Sequence, residues 1–312
     1  MHVPSGEIRT YPDRMTWLEA RRTGIGGSDI AAIMGESSFT SPLEVFYAKQ
    51  GTEREPTPGM DMGARLEAFI LRTWAEDNGL EVGVTIDDSL MTIRSDGYPF
   101  LLHSPDALIT SAIDGAVIEG VEVKNIRSDR NWDGAYRMPV RIYAQVQHGL
   151  LCSGLPLWTV VALVGGAKLI TREVEPDIEF QNRMLRQADY FWHAHVLPNV
   201  PPAPVGTDAD ARALSAAWDA SEGSVEVPGD LWTAYNDAVA RMNTEKVEVD
   251  RLKQEIQQSL AEHDTGTVDG TPVVTWKHGT RNTIDSSRLR KELPEIAAKY
   301  TKTTDQRTFR VL

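Results

Sequence analysis

The sequence predicts an N-terminal core of the α/β or α+β class, followed by a smaller appendage. Helical and strand patterns alternate through about the first 200 residues. A proline-rich segment then separates them from a long amphipathic stripe. A chain of 312 residues, 41% of them hydrophobic, can bury one large core or two of ordinary size.

Hydrophobic periodicity gives the individual elements of the core. Apolar residues recur every three or four positions in the predicted helices, at residues 17–20, 29–34, 63–78, 142–153 and 178–195. Alternating or continuously apolar runs predict strands at residues 100–109, 116–124, 158–164 and 168–174. Because the two kinds of element are interleaved, we expect them to share one core.

A segment with four prolines and no hydrophobic periodicity, LPNVPPAPVGTDADA at residues 197–211, is typical of a domain boundary. We therefore predict a first domain at residues 1–200, a linker at 201–211 and a C-terminal α+β region at 212–312. Its predicted elements are a long amphipathic helix at 230–262, a strand at 272–277, a helix at 286–299 and a strand at 308–312. Binding of DNA, of a partner protein or of a second copy all remain open as its role.

Composition excludes several classes of protein. The apolar stretches are shorter than the ~20 residues of a membrane-spanning helix, and no secretion signal is evident, so we expect a cytoplasmic protein without a membrane partner. Cys152 is the single cysteine, which excludes an intramolecular disulfide and a cysteine-rich zinc site. The net charge of -13 argues only weakly against a nucleic-acid partner, because basic residues can be concentrated in local patches.

A predicted hairpin carries two acids and a lysine. Asp106 lies on the first strand, an Asp114-Gly115 turn follows, and Glu122 and Lys124 share one face of the second strand. Hard carboxylate oxygens suit Mg²⁺, and a neighbouring lysine can orient a water for attack on a phosphodiester. The alternative is an exposed hairpin with a surface Glu-Lys pair.

Glu67 lies on a predicted helix in line with Ile70, Leu71 and Trp74, at positions i, i+3, i+4 and i+7. A carboxylate that faces a core is unfavourable unless it is paired or binds a metal. Glu67 is therefore a candidate third acid of the same site, although an acid at the edge of a buried face can also reach water.

A glycine-rich block precedes a short helix near the N-terminus. Its glycines are Gly24, Gly26 and Gly27. They free the backbone to approach an anion, and we expect Ser28, with Arg21 or Arg22, to contact a phosphate. Asp29 would repel a phosphate, so we expect it to turn away or to cap the helix. The alternative is a plain capped helix after a glycine turn.

An arginine-rich segment with two aromatic residues follows the predicted hairpin. Trp132 and Tyr136 alternate there with arginines at positions 127, 130, 137 and 141. This composition suits gripping phosphates and stacking on a frayed base, or an ordinary solvated loop.

Four sequence blocks, in this order, resemble the YqaJ-like viral recombinase and lambda exonuclease group of the PD-(D/E)XK nuclease superfamily. They are RTGIGGSDI at 22–30, MGARLE at 62–67, SPD at 104–106 with VEVK at 121–124, and YAQVQH at 143–148. The resemblance implies a restriction-endonuclease-like core in which helices flank a central mixed sheet.

The resemblance also implies a role for each site residue. Metal ligands are expected at Asp106 and Glu122, with Glu67 as the additional helix acid. Lys124 would position the attacking water, and Gln145 would lie near the active site. Arg22 and Ser28 would bind a terminal 5′ phosphate. The expected metal is Mg²⁺, with Mn²⁺ as a substitute.

The activity that the resemblance implies is 5′ to 3′ digestion of one strand of linear duplex DNA, as in phage recombination. A single-strand annealing protein would use the 3′ tail that remains, and relatives can form rings around the duplex. One alternative is an endonuclease of the same superfamily that needs no DNA end. The other is a catalytically silent DNA-binding or assembly protein of the same fold.

Overall fold

The computed structural model describes residues 2–52, 58–78, 84–85, 90–111, 113–134, 136–218, 223–303 and 308–311. The chain divides into two compact units, Met1–Asp219 and Ala220–Leu312. Both mix helices with strands, as the sequence predicts. None of the helices in the described ranges has the length and apolar character needed to cross a bilayer.

The strands of the first unit form two sheets. In chain order they are β1 His2–Val3, β2 Gly6–Tyr11, β3 Val84–Thr85, β4 Leu90–Ser95, β5 Leu102–His103, β6 Ala107–Thr110, β7 Val117–Ile126, β8 Trp158–Val164 and β9 Lys168–Val174. One sheet has the order β1-β2-β4-β5 and the other has the order β3-β6-β7-β8-β9. In the second sheet β7 pairs antiparallel with β6 and parallel with β8, so this sheet is mixed.

Helices flank the mixed sheet. Those of the first unit are α1 Arg14–Arg22, α2 Gly27–Ile33, α3 Pro42–Lys49, α4 Pro58–Asp77, α5 Val140–Ser153, α6 Ile178–Phe191 and α7 Asp208–Ala217, with a π-helical turn at Trp192–Val196 after α6. Ile70 and Trp74 of α4 pack against Val121 and Val161 in one apolar cluster. A second cluster includes residues of α5 and the alternate β8 residues. The predicted α/β core with a mixed sheet is confirmed.

The β6–β7 hairpin forms as the Asp114-Gly115 pair predicts. Ala107 of β6 faces Val121 of β7. Gly115 has a φ of 69°, a left-handed conformation that glycine adopts without strain. The Asp114 carboxylate accepts a hydrogen bond from the Ala116 amide, which fixes the turn.

The boundary between the units differs from the predicted linker at 201–211. Helix α7 belongs to the first unit, where Arg212 donates to the Phe39 carbonyl at 2.9 Å and Trp218 packs edge-on to Tyr47. The proline-rich stretch is therefore a connection on the first unit, because proline marks irregular backbone whether or not a domain ends there.

The second unit contains α8 Gly229–Leu260, β10 Thr265–Val268, β11 Thr271–Thr275, α9 Ser286–Glu292 and α10 Pro294–Lys299. The long helix is confirmed. The predicted helix at 286–299 is wrong in its continuity, because it breaks before Pro294, which cannot continue the backbone hydrogen bonds. The strand predicted at 308–312 is also wrong for residues 308–311, which are irregular, and Leu312 lies outside the described residues.

Candidate active site

A cleft of about 440 Å³ opens where α4, the β6–β7 hairpin and α5 meet. The residues that line it include Trp17, Arg21, Gly27, Ser28, Glu67, His103, Asp106, Glu122, Lys124 and Gln145. The structure thus brings together the three predicted acids, the lysine, the glutamine and Ser28. These residues are distant in sequence, so the convergence comes from the fold.

Glu122 and Lys124 project from the same face of β7, as strand alternation predicts. Glu122 is fully buried, and its Oε1 accepts a hydrogen bond from the Lys124 ammonium. Burial raises the pKa of Glu122 to about 8, helped by the charge of Asp106 and opposed by Lys124. Burial lowers the pKa of Lys124, but Glu122 and Asp106 outweigh it and hold that pKa above its ordinary value. Lys124 is therefore a charged donor at the cleft.

Asp106 precedes β6 and is held against β7 by backbone contacts. Its Oδ2 accepts a hydrogen bond from the Val123 amide at 2.6 Å, and its own amide donates to the Val121 carbonyl at 3.2 Å. Burial raises the pKa of the Asp106 carboxyl, although Lys124 and the Val123 amide oppose the shift. The two backbone contacts fix this carboxylate beside Glu122.

Glu67 reaches the cleft from α4. The next residues of the same helical stripe, Ile70 and Leu71, are buried, so the helix holds Glu67 at the edge of the core. Burial, followed by the charge of Asp106, raises the pKa of Glu67 to about 7, and the two carboxyl groups are in hydrogen-bonding contact. The third predicted acid therefore joins the other two.

Gln145 of α5 completes the surroundings of Glu122. Its Nε2 donates to Glu122 Oε1 at 2.5 Å. An amide donor on a rigid helix restricts the rotation of the carboxylate. Gln145 therefore orients Glu122.

His103 of β5 lies next to Glu122, an orientation that no sequence pattern predicts. Its ring is fully buried, and its Nε2 lies 4.0 Å from Glu122 Oε2. Burial, followed by the charges nearby, holds the pKa of His103 well below its ordinary value, so the ring is neutral. Glycines make the space for it, since a Cβ on Gly27 would lie 2.6 Å from His103 Nδ1 and one on Gly149 would lie 3.0 Å from Nε2.

The donor set fits a divalent cation. Three carboxyl groups with raised pKa values share one cleft, and Glu122 Oε2 is buried without a hydrogen-bond partner. A hard cation would relieve both the mutual repulsion and the unpaired oxygen. Among the described residues, no three Asp, Glu, His or Cys side chains are already grouped so that they could hold a metal ion. Lys124 and Gln145 both contact Glu122 Oε1, which leaves Oε2 as the carboxylate oxygen available to a cation.

In the same cleft, Arg21 and Ser28 form a small polar pocket. Arg21 Nη2 donates to Ser28 Oγ at 2.8 Å, and the guanidinium lies 4.6 Å from the centre of the Trp17 ring. Arg22 is not among the residues that line the cleft, because neighbours on a helix point about 100° apart. Asp29 caps its helix by accepting from the Gly26 amide at 2.8 Å, which confirms the capping expectation.

The aromatic residues between β7 and α5 belong to the core. Trp132 is 2% exposed, and Tyr136 stacks on Tyr143 with ring centres 4.4 Å apart. The expectation that they stack on a DNA base is wrong for this structure, since both rings already have protein partners.

Residues 16–156 match the family model described as the YqaJ-like viral recombinase domain. The YqaJ protein of Bacillus subtilis (strain 168) is 25% identical over 308 residues, which cover 95% of this chain and 93% of that protein. All the predicted site residues, from Arg22 to Gln145, lie inside the range that matches this family model.

Two crystal structures also resemble the chain. Both are of LHK-Exo, described as an alkaline exonuclease from Laribacter hongkongensis, and one of them contains dAMP. Their TM-scores are 0.45 and 0.44, with 16% and 15% sequence identity. Each match covers 58% of this chain and 92% of the other.

Proposed function

We propose that this YqaJ-like protein is a metal-dependent deoxyribonuclease that digests linear duplex DNA from its 5′ ends. The observation that carries the proposal is the convergence of Glu67, Asp106 and Glu122 with Lys124 in one cleft. Three acids and a lysine are the residue types that metal-assisted phosphodiester hydrolysis requires. The match of residues 16–156 to the viral recombinase model favours DNA as the substrate.

The three carboxylates would hold the metal, Mg²⁺ or in its place Mn²⁺. When bound, the metal lowers the pKa of a water and neutralises charge on the scissile phosphate. Lys124 is a donor without an acceptor function, so its ammonium would hold the attacking water or a phosphate oxygen. Gln145 would keep the Glu122 carboxylate oriented while Lys124 leaves it to meet the substrate.

Hydrolysis in this cleft forms a bond from the water oxygen to phosphorus and breaks the P–O3′ bond. The departing O3′ takes up a proton, and the shortened strand keeps a 5′ phosphate. That phosphate is the group that the pocket of Arg21 and Ser28 would accept, because a guanidinium and a hydroxyl are both donors. Arg21 takes the place of the predicted Arg22 in this proposal, since Arg21 contacts Ser28.

Digestion of one strand from its 5′ end leaves the complementary strand as a 3′ single-stranded tail. Such a product suits a single-strand annealing protein, and the match to the viral recombinase model supports this partner. A ring of several copies around the duplex is a further proposal that rests on the same family.

Digestion of DNA with Mg²⁺ tests the proposed function. We expect linear 5′-phosphorylated duplex to be degraded and closed circles to survive, with losses on the order of 100-fold in Glu122→Ala and Lys124→Ala. Cleavage of circles would indicate the end-independent endonuclease. Absence of cleavage in the folded parent would indicate the silent DNA-binding protein, and full activity in either variant would overturn the site assignment.

A further inference from the structure

A buried ion pair between Lys49 and Asp29 lies next to the pocket of Arg21 and Ser28. Lys49, the last residue of α3, places its Nζ 2.6 Å from Asp29 Oδ2, and the two side chains are 5% and 17% exposed. The same ammonium donates to the Arg21 carbonyl at 3.0 Å. The proposed hydrolysis leaves this pair without a function.

Asp29 stands among the groups that form the pocket. Its Oδ2 also accepts from the Gly26 amide, and a Cβ on Gly26 would lie 3.3 Å from that oxygen and 3.5 Å from Arg21 Nη2. Asp29 Oδ2 and Arg21 Nη2 are thus at most about 7 Å apart, inside the Debye length of ~8 Å at physiological ionic strength, so salt only partly screens the carboxylate from charges at the pocket. Without a counter-charge, Asp29 would repel the ligand.

Lys49 supplies that counter-charge. Burial alone would raise the pKa of Asp29, but Lys49 and then Arg21 hold it below its ordinary value. Burial also lowers the pKa of Lys49, and the charge of Asp29 opposes that shift. Because the ammonium and the carboxylate are 2.6 Å apart and hydrogen-bonded, the pair is ionised and neutral as a unit. The charge of Arg21 is then left uncancelled at the pocket.

We propose that Lys49 is a positioning residue for a terminal phosphate monoester of DNA, which it serves by neutralising Asp29 next to the Arg21–Ser28 pocket. This inference rests on the proposed function. It adds that the preference for phosphorylated ends depends on Lys49, a residue that does not itself contact the phosphate.

Steady-state digestion of 5′-phosphorylated and 5′-hydroxyl duplexes by Lys49→Met and by the double variant Asp29→Asn/Lys49→Met tests the proposal. For Lys49→Met we expect KM for phosphorylated ends to rise on the order of 10-fold, with kcat and the kinetics of hydroxyl ends little changed. The double variant removes both charges and keeps an acceptor for the Gly26 amide, so most of the preference should return. A purely structural role would lower activity on both kinds of end alike.

Fluorescence anisotropy of the same duplexes in EDTA gives a second readout that needs no hydrolysis. If the parent binds phosphorylated ends preferentially but cleaves nothing, the proposed function fails, and the binding of the Lys49 variants still decides the inference. Folded Lys49→Met with the parent's preference would overturn the inference, as would a folded double variant that binds no better than Lys49→Met. If Lys49→Met does not fold, Asp29→Asn decides, since its uncancelled Lys49 should tighten binding of phosphorylated ends and unchanged binding would contradict the proposal.

Discussion

In the metal-free protein, Glu122→Gln should reduce the loss of unfolding free energy that occurs as the pH rises. The pKa of Glu122 is raised from 4.5 to about 8 in the folded chain, mainly by burial. A group whose pKa is raised on folding stabilises the protein below its unfolded pKa, and this contribution disappears as pH rises through the folded value. The relevant window therefore runs from pH 4.5 to about 8.

The size of the effect follows from the same shift. At pH 6.5 the folded pKa of about 8 lies roughly 1.5 units higher, and each unit corresponds to about 1.4 kcal/mol, so Glu122 contributes about 2 kcal/mol there. At pH 9 the contribution is close to zero. Glu122 alone should thus account for about 2 kcal/mol of the unfolding free energy that the parent loses between these two pH values, and the loss in Glu122→Gln should be smaller by that amount.

Urea unfolding in EDTA at pH 6.5 and pH 9 measures this difference. Glu36→Gln is the matched control, because Glu36 is exposed on the loop after α2 and should change nothing. Mg²⁺ at pH 9 should restore stability to the parent by binding the ionised site, and should not do so in Glu122→Gln. Equal loss in the parent and in Glu122→Gln would refute the reasoning.

Three further changes test other contacts of the site. Gln145→Leu removes the donor that orients Glu122, and kcat on linear duplex should fall about 10-fold while KM stays within about twofold. Arg21→Gln should abolish the preference for 5′-phosphorylated ends in a competition digest, whereas Arg22→Gln should keep it; the reverse result would support the original assignment to Arg22. Gly149→Ala should lower the free energy of unfolding by about 1–3 kcal/mol, and with it the melting temperature, because its Cβ would lie 2.8 Å from the Trp158 ring. Gly134→Ala, which meets nothing within 4 Å, is its control.

Local patterns predicted much of the first unit. The bounds of β8 and β9 agree with the predicted strands, because their apolar runs end at residues that favour turns. The Asp114-Gly115 pair placed the β6–β7 hairpin, and strand alternation placed Glu122 and Lys124 on one face. These features depend on neighbours in sequence, which a single chain displays directly.

Long-range contacts could not be predicted in this way. The pairing of β2 with β4 joins segments about 80 residues apart, and the Lys49–Asp29 ion pair joins helices whose packing no local pattern specifies. His103 illustrates the same limit, since its direction depends on the space left by two distant glycines. The break of the C-terminal helix at Pro294 could have been predicted from the sequence, because a proline within a helical pattern ends the helix before it.

Release of nucleotides from linear 5′-phosphorylated duplex, compared with and without Mg²⁺ for the parent and for Asp106→Asn, tests the central claim most directly. Asp106 is the acid that two backbone contacts fix in the cleft, so its loss should not be compensated by movement. The parent should release nucleotides only with Mg²⁺, and Asp106→Asn should lose activity on the order of 100-fold or more while remaining folded. Undiminished release by Asp106→Asn, or release by the parent in EDTA, would contradict the account.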